Sequence, residues 1–153
     1  MTPRGALGQE FHPYKPNPFR PILIGVNDVL SRTDIAAVIS AFYREAITDP
    51  QIGYLFSGLD LEAHLPIMYD FWENVLFRSG AYKGGMMYKH LVLNAQNPLK
   101  AEHFERWLEL FAKAIDAHFA GENAERMKTF ARSVASTMQA RILGNPMFPL
   151  AGR

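Results

Sequence analysis

Five histidines, His12, His64, His90, His103 and His118, are the side chains whose type suits metal binding or proton transfer near neutral pH. None of them forms an H-x-x-x-H or H-E-x-x-H pair, so the spacing of zinc hydrolases is missing. Glu62 and His64 stand two apart, which is not the Glu-x-x-His step of di-iron helix bundles. Serine elbows of the G-x-S-x-G kind and phosphate-cradling glycine loops are absent. The chain has no cysteine. That excludes disulfides, thiolate nucleophiles, zinc–cysteine sites, iron–sulfur clusters and covalent attachment through C-x-x-C-H.

His90 sits in Gly84-Gly85-Met86-Met87-Tyr88-Lys89-His90-Leu91-Val92-Leu93, with methionines before it and aliphatic residues after it. A buried neutral imidazole must satisfy both ring nitrogens. Binding iron through Nε2 while Nδ1–H donates to a carbonyl one turn earlier does so. An ordinary, partly exposed loop histidine is the alternative. His64 shares a helical row with Met68 and Trp72; it is either a core histidine or a residue reaching over a ligand. Tyr43 flanks the stripe of its helix, and its hydroxyl needs a partner if buried. Trp107 lies mid-stripe and its indole N–H can only donate. His103 and His118 read as structural or surface residues, and His12 has no assigned role.

The elements that must position these residues read as helices. Ile35, Val38, Ile39, Phe42 and Ala46 form an i, i+3, i+4 stripe over 32–48, opened by Ser31 with Asp34 as a capping box and closed by Asp49-Pro50. A short aromatic connection, Tyr54-Leu55-Phe56, follows. The second stripe runs from Leu61 through His64, Leu65, Met68, Trp72 and Val75 to Leu76. Gly80, Gly84, Gly85 and Pro98 make 80–98 irregular, with a short helix expected around Met86–Leu91. A third stripe, Phe104 to Phe119, predicts a helix ending near Gly121. The last, Met127 to Ile142, ends at Gly144 with proline beyond. No period-2 strand pattern appears. The reading is all-α, with four substantial helices and one irregular connection, and a long connection in a compact domain is often functional. Five prolines in 1–26 predict an extended or disordered arm, 27–145 the folded domain and 146–153 a C-terminal tail.

Composition narrows the partners. The 16 basic and 15 acidic residues nearly balance, with no basic run, which argues against nucleic acid. No apolar stretch is long enough to span a bilayer and none at the N-terminus has signal-peptide form, so a soluble, cytoplasmic protein without membrane partners is expected. Eleven Phe, six Tyr, two Trp and seven Met supply a large polarizable interior.

Several blocks, taken in order, carry a family resemblance. Phe42-Tyr43, Asp49-Pro50-Gln51-Ile52-Gly53 and Leu55-Phe56 resemble the F-Y…D-P-x-L-G-x-x-F opening of the third group of truncated haemoglobins. His64-Leu65-x-x-Met68 with Phe71-Trp72 resembles its H-L-x-x-M-x-x-F-W block. Tyr82-Lys83-Gly84 with His90-Leu91-Val92-Leu93 resembles Y-x-G…H-L-x-L, and Phe104-x-x-Trp107-Leu108-x-x-Phe111 resembles F-x-x-W-L-x-L-F. The match runs from about 31 to 143. The chain departs from the pattern in a shorter Phe56–His64 segment without the usual tryptophan, in Met86 where proline is common, and in a longer His90–Trp107 connection.

The resemblance implies a truncated globin, a two-on-two helical sandwich around haem b, behind a proline-rich N-terminal extension. It implies His90 as the proximal iron ligand, and Tyr43, His64, Met68 and Trp107 around the distal ligand. Phe56, His64, Met68, Tyr82, Met86, Met87, Lys89, His90, Phe104 and Trp107 would then contact the cofactor, with Lys89, Tyr82 and Arg78 as partners for its propionates. The function so implied is reversible binding of dioxygen, nitric oxide or carbon monoxide, as in oxygen transport or, with an external reductase, nitric oxide detoxification. Alternatives are a peroxidase-like haem enzyme and a haem-free helical regulatory module on the same scaffold. Oligomeric state is left open.

Overall fold

The computed structural model describes residues 26–144. The expected arm and tail lie outside the described residues, apart from Val26. Five α-helices and one 3₁₀ turn make up the ordered elements, and no strand occurs among the described residues.

Helix α1, Arg32–Ala46, starts where Ser31 Oγ accepts the Asp34 N–H at 3.2 Å. The expected capping box closes differently: the Asp34 carboxylate accepts the N–H of Leu30, one residue ahead of the cap. The stripe is buried as read, with Tyr43 added to it. The helix ends at Ala46, short of Asp49-Pro50. Asp49 then organises the turn, its Oδ1 accepting the N–H groups of Gln51 and Ile52. The 3₁₀ turn Gly53–Phe56 follows. A Cβ on Gly53 would stand 2.8 Å from the Ile47 carbonyl oxygen, so glycine permits this close return of the chain.

Helix α2, Leu61–Phe77, is capped by Asp60 and stops at Arg78, which takes the left-handed conformation with φ 55°. The short helix expected around 86–91 extends further, as α3 over Met86–Gln96. Its N-cap is Gly85, which has no side chain to offer. The Tyr82 hydroxyl substitutes by accepting the Met86 N–H at 3.1 Å. Helix α4, Ala101–Asp116, ends five residues before Gly121, yet Phe119 stays buried because the chain folds back after it. Helix α5, Glu122–Leu143, is capped across space: the Asp28 carboxylate accepts the N–H groups of Asn123 and Ala124. It ends at Gly144 in the left-handed conformation, as glycine there predicts.

Two pairs of helices, α1 with α2 and α4 with α5, pack face to face through α1–α4 and α2–α5, while α3 leans chiefly on α5. Between the layers Trp107 stacks on Phe111 (5.2 Å, 5°), Phe111 on Trp72 (5.0 Å, 22°), and Phe42 meets both Trp107 and Phe111 edge-on. Each fully buried ring or aliphatic chain of this kind contributes roughly 1.5–3 kcal/mol. The core does not close into one body. A main cluster and a smaller one (Leu99, Phe104, Ala135, Met138) share only half-buried side chains: Leu55, Met86, Leu108 and Val134.

Candidate functional site

Several of the side chains singled out by sequence pack against one or both of those two clusters. Phe56 of the 3₁₀ turn, His64 and Met68 of α2, Tyr82, then Met86, Met87 and His90 of α3, and Trp107 of α4 are all half-buried. Tyr43 and Phe104 are buried and Lys89 is exposed. Phe56, Met68, Tyr82 and Trp107 pack against the main cluster, Met87 against the smaller one, and Met86 against both.

Helix α3 holds His90 by its own backbone. Met86, one turn earlier, has a carbonyl oxygen 2.8 Å from His90 Nδ1. A carbonyl only accepts, so Nδ1 carries the proton and donates. In the neutral ring Nε2 then keeps its lone pair. That nitrogen has no hydrogen-bond partner among the described residues. Tyr82 caps the N–H of Met86, the same residue whose carbonyl holds the imidazole, so the irregular connection and the histidine are tied through one peptide position. Among the described residues no three His, Asp or Glu side chains converge as a metal-ligand cluster.

Across from it, the Tyr43 hydroxyl lies 2.6 Å from His64 Nε2, with the rings edge to face at 5.3 Å. Tyr43 is 6% exposed and also meets Phe42 and Phe56 edge-on. Burial pushes its pKa well up, so it stays a phenol. Burial pulls the His64 pKa down, and the charges of Lys89 and His90 lower it further, so His64 is a neutral imidazole at pH 7. Lys89 and His90 of α3 thus lie near enough to His64 of α2 for their charges to act on it. Trp107 is held by the stack on Phe111, and its indole N–H makes no hydrogen bond among the described residues.

Two features escaped the sequence reading. Arg106, next to Trp107, grips Asp49 through Nε and Nη2 at 2.9 and 2.8 Å, which locks α4 to the turn before Phe56. Arg106 first, and the Gln51 and Ile52 N–H groups after it, hold the Asp49 carboxyl below the usual range against the opposing cost of burial. No local pattern joins positions 57 apart. Leu55 also packs against both clusters, Leu65 against the main one and Leu93 against the smaller one. Leu93 was readable as the residue three beyond His90 on the same helix face. His103 is structural: its Nδ1 accepts the Lys100 N–H and its Nε2 meets the Tyr54 hydroxyl at 3.1 Å.

No protein-family model matches the chain. No curated protein matches it either. Among solved structures it is similar to the group III truncated haemoglobin from Campylobacter jejuni, with TM-score 0.66 and 25% identity over 82% of this chain and 97% of that one. The chain therefore has the truncated globin fold, all-helical as expected. No helix among the described residues is long and apolar enough to cross a membrane.

Proposed function

We propose that this chain binds haem b, whose iron His90 Nε2 would hold, together with a diatomic gas, dioxygen or nitric oxide, toward which Tyr43, His64 and Trp107 would supply the polar groups. The observation that carries the reading is the Met86 carbonyl on His90 Nδ1, which leaves Nε2 as the only nitrogen able to bind a metal. The donor set fits the group. A single imidazole without neighbouring protein ligands suits a metal whose other positions are filled by a macrocycle. Half-buried apolar chains from four elements suit a flat apolar ring, and Lys89 at the rim suits its carboxylates.

Haem, when bound, supplies the iron at which a diatomic gas coordinates reversibly. The chain's own residues supply the surroundings. Phe56, Met68 and Met86 exclude water. The Trp107 N–H is a donor with no competing acceptor, and Tyr43 stays protonated and therefore able to donate. The His64 tautomer decides how: if Nε2 carries a proton it donates to Tyr43 and releases the phenol O–H toward the ligand, and otherwise it accepts that O–H. Nitric oxide detoxification would need an external reductase. Oxygen transport and a cytoplasmic location accompany this reading.

The test is the absorption spectrum of the purified protein, ferric, reduced and with carbon monoxide, beside His90→Ala. A Soret band that shifts with carbon monoxide and is lost or altered in the variant is expected. A protein that takes up no haem sinks the reading; haem bound identically by His90→Ala removes His90 from it.

A further inference from the structure

The near-zero net charge conceals a segregation. No Asp or Glu occurs between Glu73 and Glu102, and none after Glu125. The fold brings these two acid-free stretches together. Met86, Met87 and Leu93 of α3 join the cluster that Val134, Ala135, Met138 and Ile142 of α5 build. Elsewhere Arg32, Arg106, Lys113 and Lys128 pair with carboxylates of other helices or turns, while Arg44, Arg126 and Arg132 are exposed without an ion pair among the described residues but stand apart from one another along the chain. Arg78, Lys83, Lys89, Lys100 and Arg141 are exposed and make no ion pair among the described residues. Glu102, at the head of α4 beside Lys100, is the acid nearest this surface along the chain.

The same surface has an apolar centre. Helix α3 turns Met86, Met87, His90 and Leu93 inward, and no residue on it is fully buried. Its outer face carries Tyr88, 72% exposed, with Leu91 and Val92 at 40% and 42%. Lys83 precedes this helix, Lys89 flanks the apolar centre and Lys100 follows. An apolar centre ringed by unpaired charge of one sign is the anatomy of a protein interface. At about 16 Å of helix it is of the small, transient kind. Membrane-binding helices set Trp, Phe or Leu deep in the headgroups; here no Trp or Phe is present and the two aliphatic chains are half covered.

We propose that the outer face of α3, with Lys83 and Lys100 at its two ends and Arg141 of α5, docks an acidic protein whose carboxylates surround an apolar centre. The partner's purpose, as an electron donor to a site on the inner face of the same helix, rests on the haem reading. The docking itself rests on the charge segregation and the exposed apolar centre.

The test titrates the ¹⁵N-labelled full chain with flavodoxin, a small acidic flavoprotein, at low and high ionic strength. Shifts should cluster at residues 83–100 and along the end of α5, and fade as salt screens the charges. Lys83→Glu with Lys100→Glu should weaken binding about tenfold or more at low salt. Tyr88→Ala should weaken it without changing the salt dependence. Absence of binding at low salt, shifts centred on α1 or α4, or wild-type affinity in the double variant would overturn the proposal, as would binding to phosphatidylserine vesicles but not to flavodoxin. The titration reads the surface whether or not haem is bound, so loss of the Soret band and loss of docking are separate failures.

Discussion

Removing one oxygen atom tests the Tyr43–His64 pair. Tyr43→Phe keeps the ring and its edge contacts with Phe42 and Phe56, and deletes only the hydroxyl 2.6 Å from His64 Nε2. The lost bond lies in a nearly closed position on the tyrosine side and a half-exposed one on the histidine side. An unsatisfied buried polar group costs roughly 1–3 kcal/mol, and water reaching His64 brings this toward about 1 kcal/mol. For a domain of this size the melting temperature should fall by about 3–6 °C. If the hydroxyl also donates to a polarised ligand, its loss removes about 1.5–3 kcal/mol from the bound state. That speeds dissociation about ten- to hundredfold. Stopped-flow displacement of dioxygen by carbon monoxide measures the rate, and thermal unfolding by circular dichroism the stability. An unchanged off-rate with a lowered melting point would confine Tyr43 to holding His64. No change in either would refute the hydrogen bond itself.

Four further outcomes are expected. Asp49 has a folded-state pKa below its unfolded value, so its contribution is present above the ordinary carboxylate pKa and lost as pH falls through the folded one; Asp49→Asn should flatten that acid limb in a series of melting curves. His64 has a lowered pKa, so the unfolded chain takes up the proton first: stability is full above about pH 6.5 and declines as pH falls below it, a slope that His64→Gln should remove. Gly121→Ala should destabilise by about 2–4 kcal/mol in urea unfolding, because φ is 148° and the added Cβ would stand 2.4 Å from Asp28 Cγ in the cap of α5. Gly58→Ala, with open space around it, should be neutral or slightly stabilising by comparison.

Much of this protein was legible along the chain because helices are local objects. The stripes of α1, α2, α4 and α5 follow from side-chain spacing, and the stop at Gly144 from the conformational freedom of glycine. The irregular reading of 80–98 held only up to Gly85, since Met86–Gln96 is a regular helix, and the Met86–His90 step made a carbonyl contact one turn back geometrically available. Local pattern could not choose between a ligand and a loop histidine at position 90, since both satisfy the same spacing. Family resemblance, not periodicity, singled it out. What only the tertiary structure decided are relations between distant segments. Asp49 finds Arg106 across the layers, Asp28 caps a helix that begins near residue 122, and Tyr43 meets His64 because α1 lies on α2. The basic face has the same origin. Two acid-free stretches, each unremarkable alone, come together when α3 packs on α5, and their charges then add over distance in space and not along the sequence.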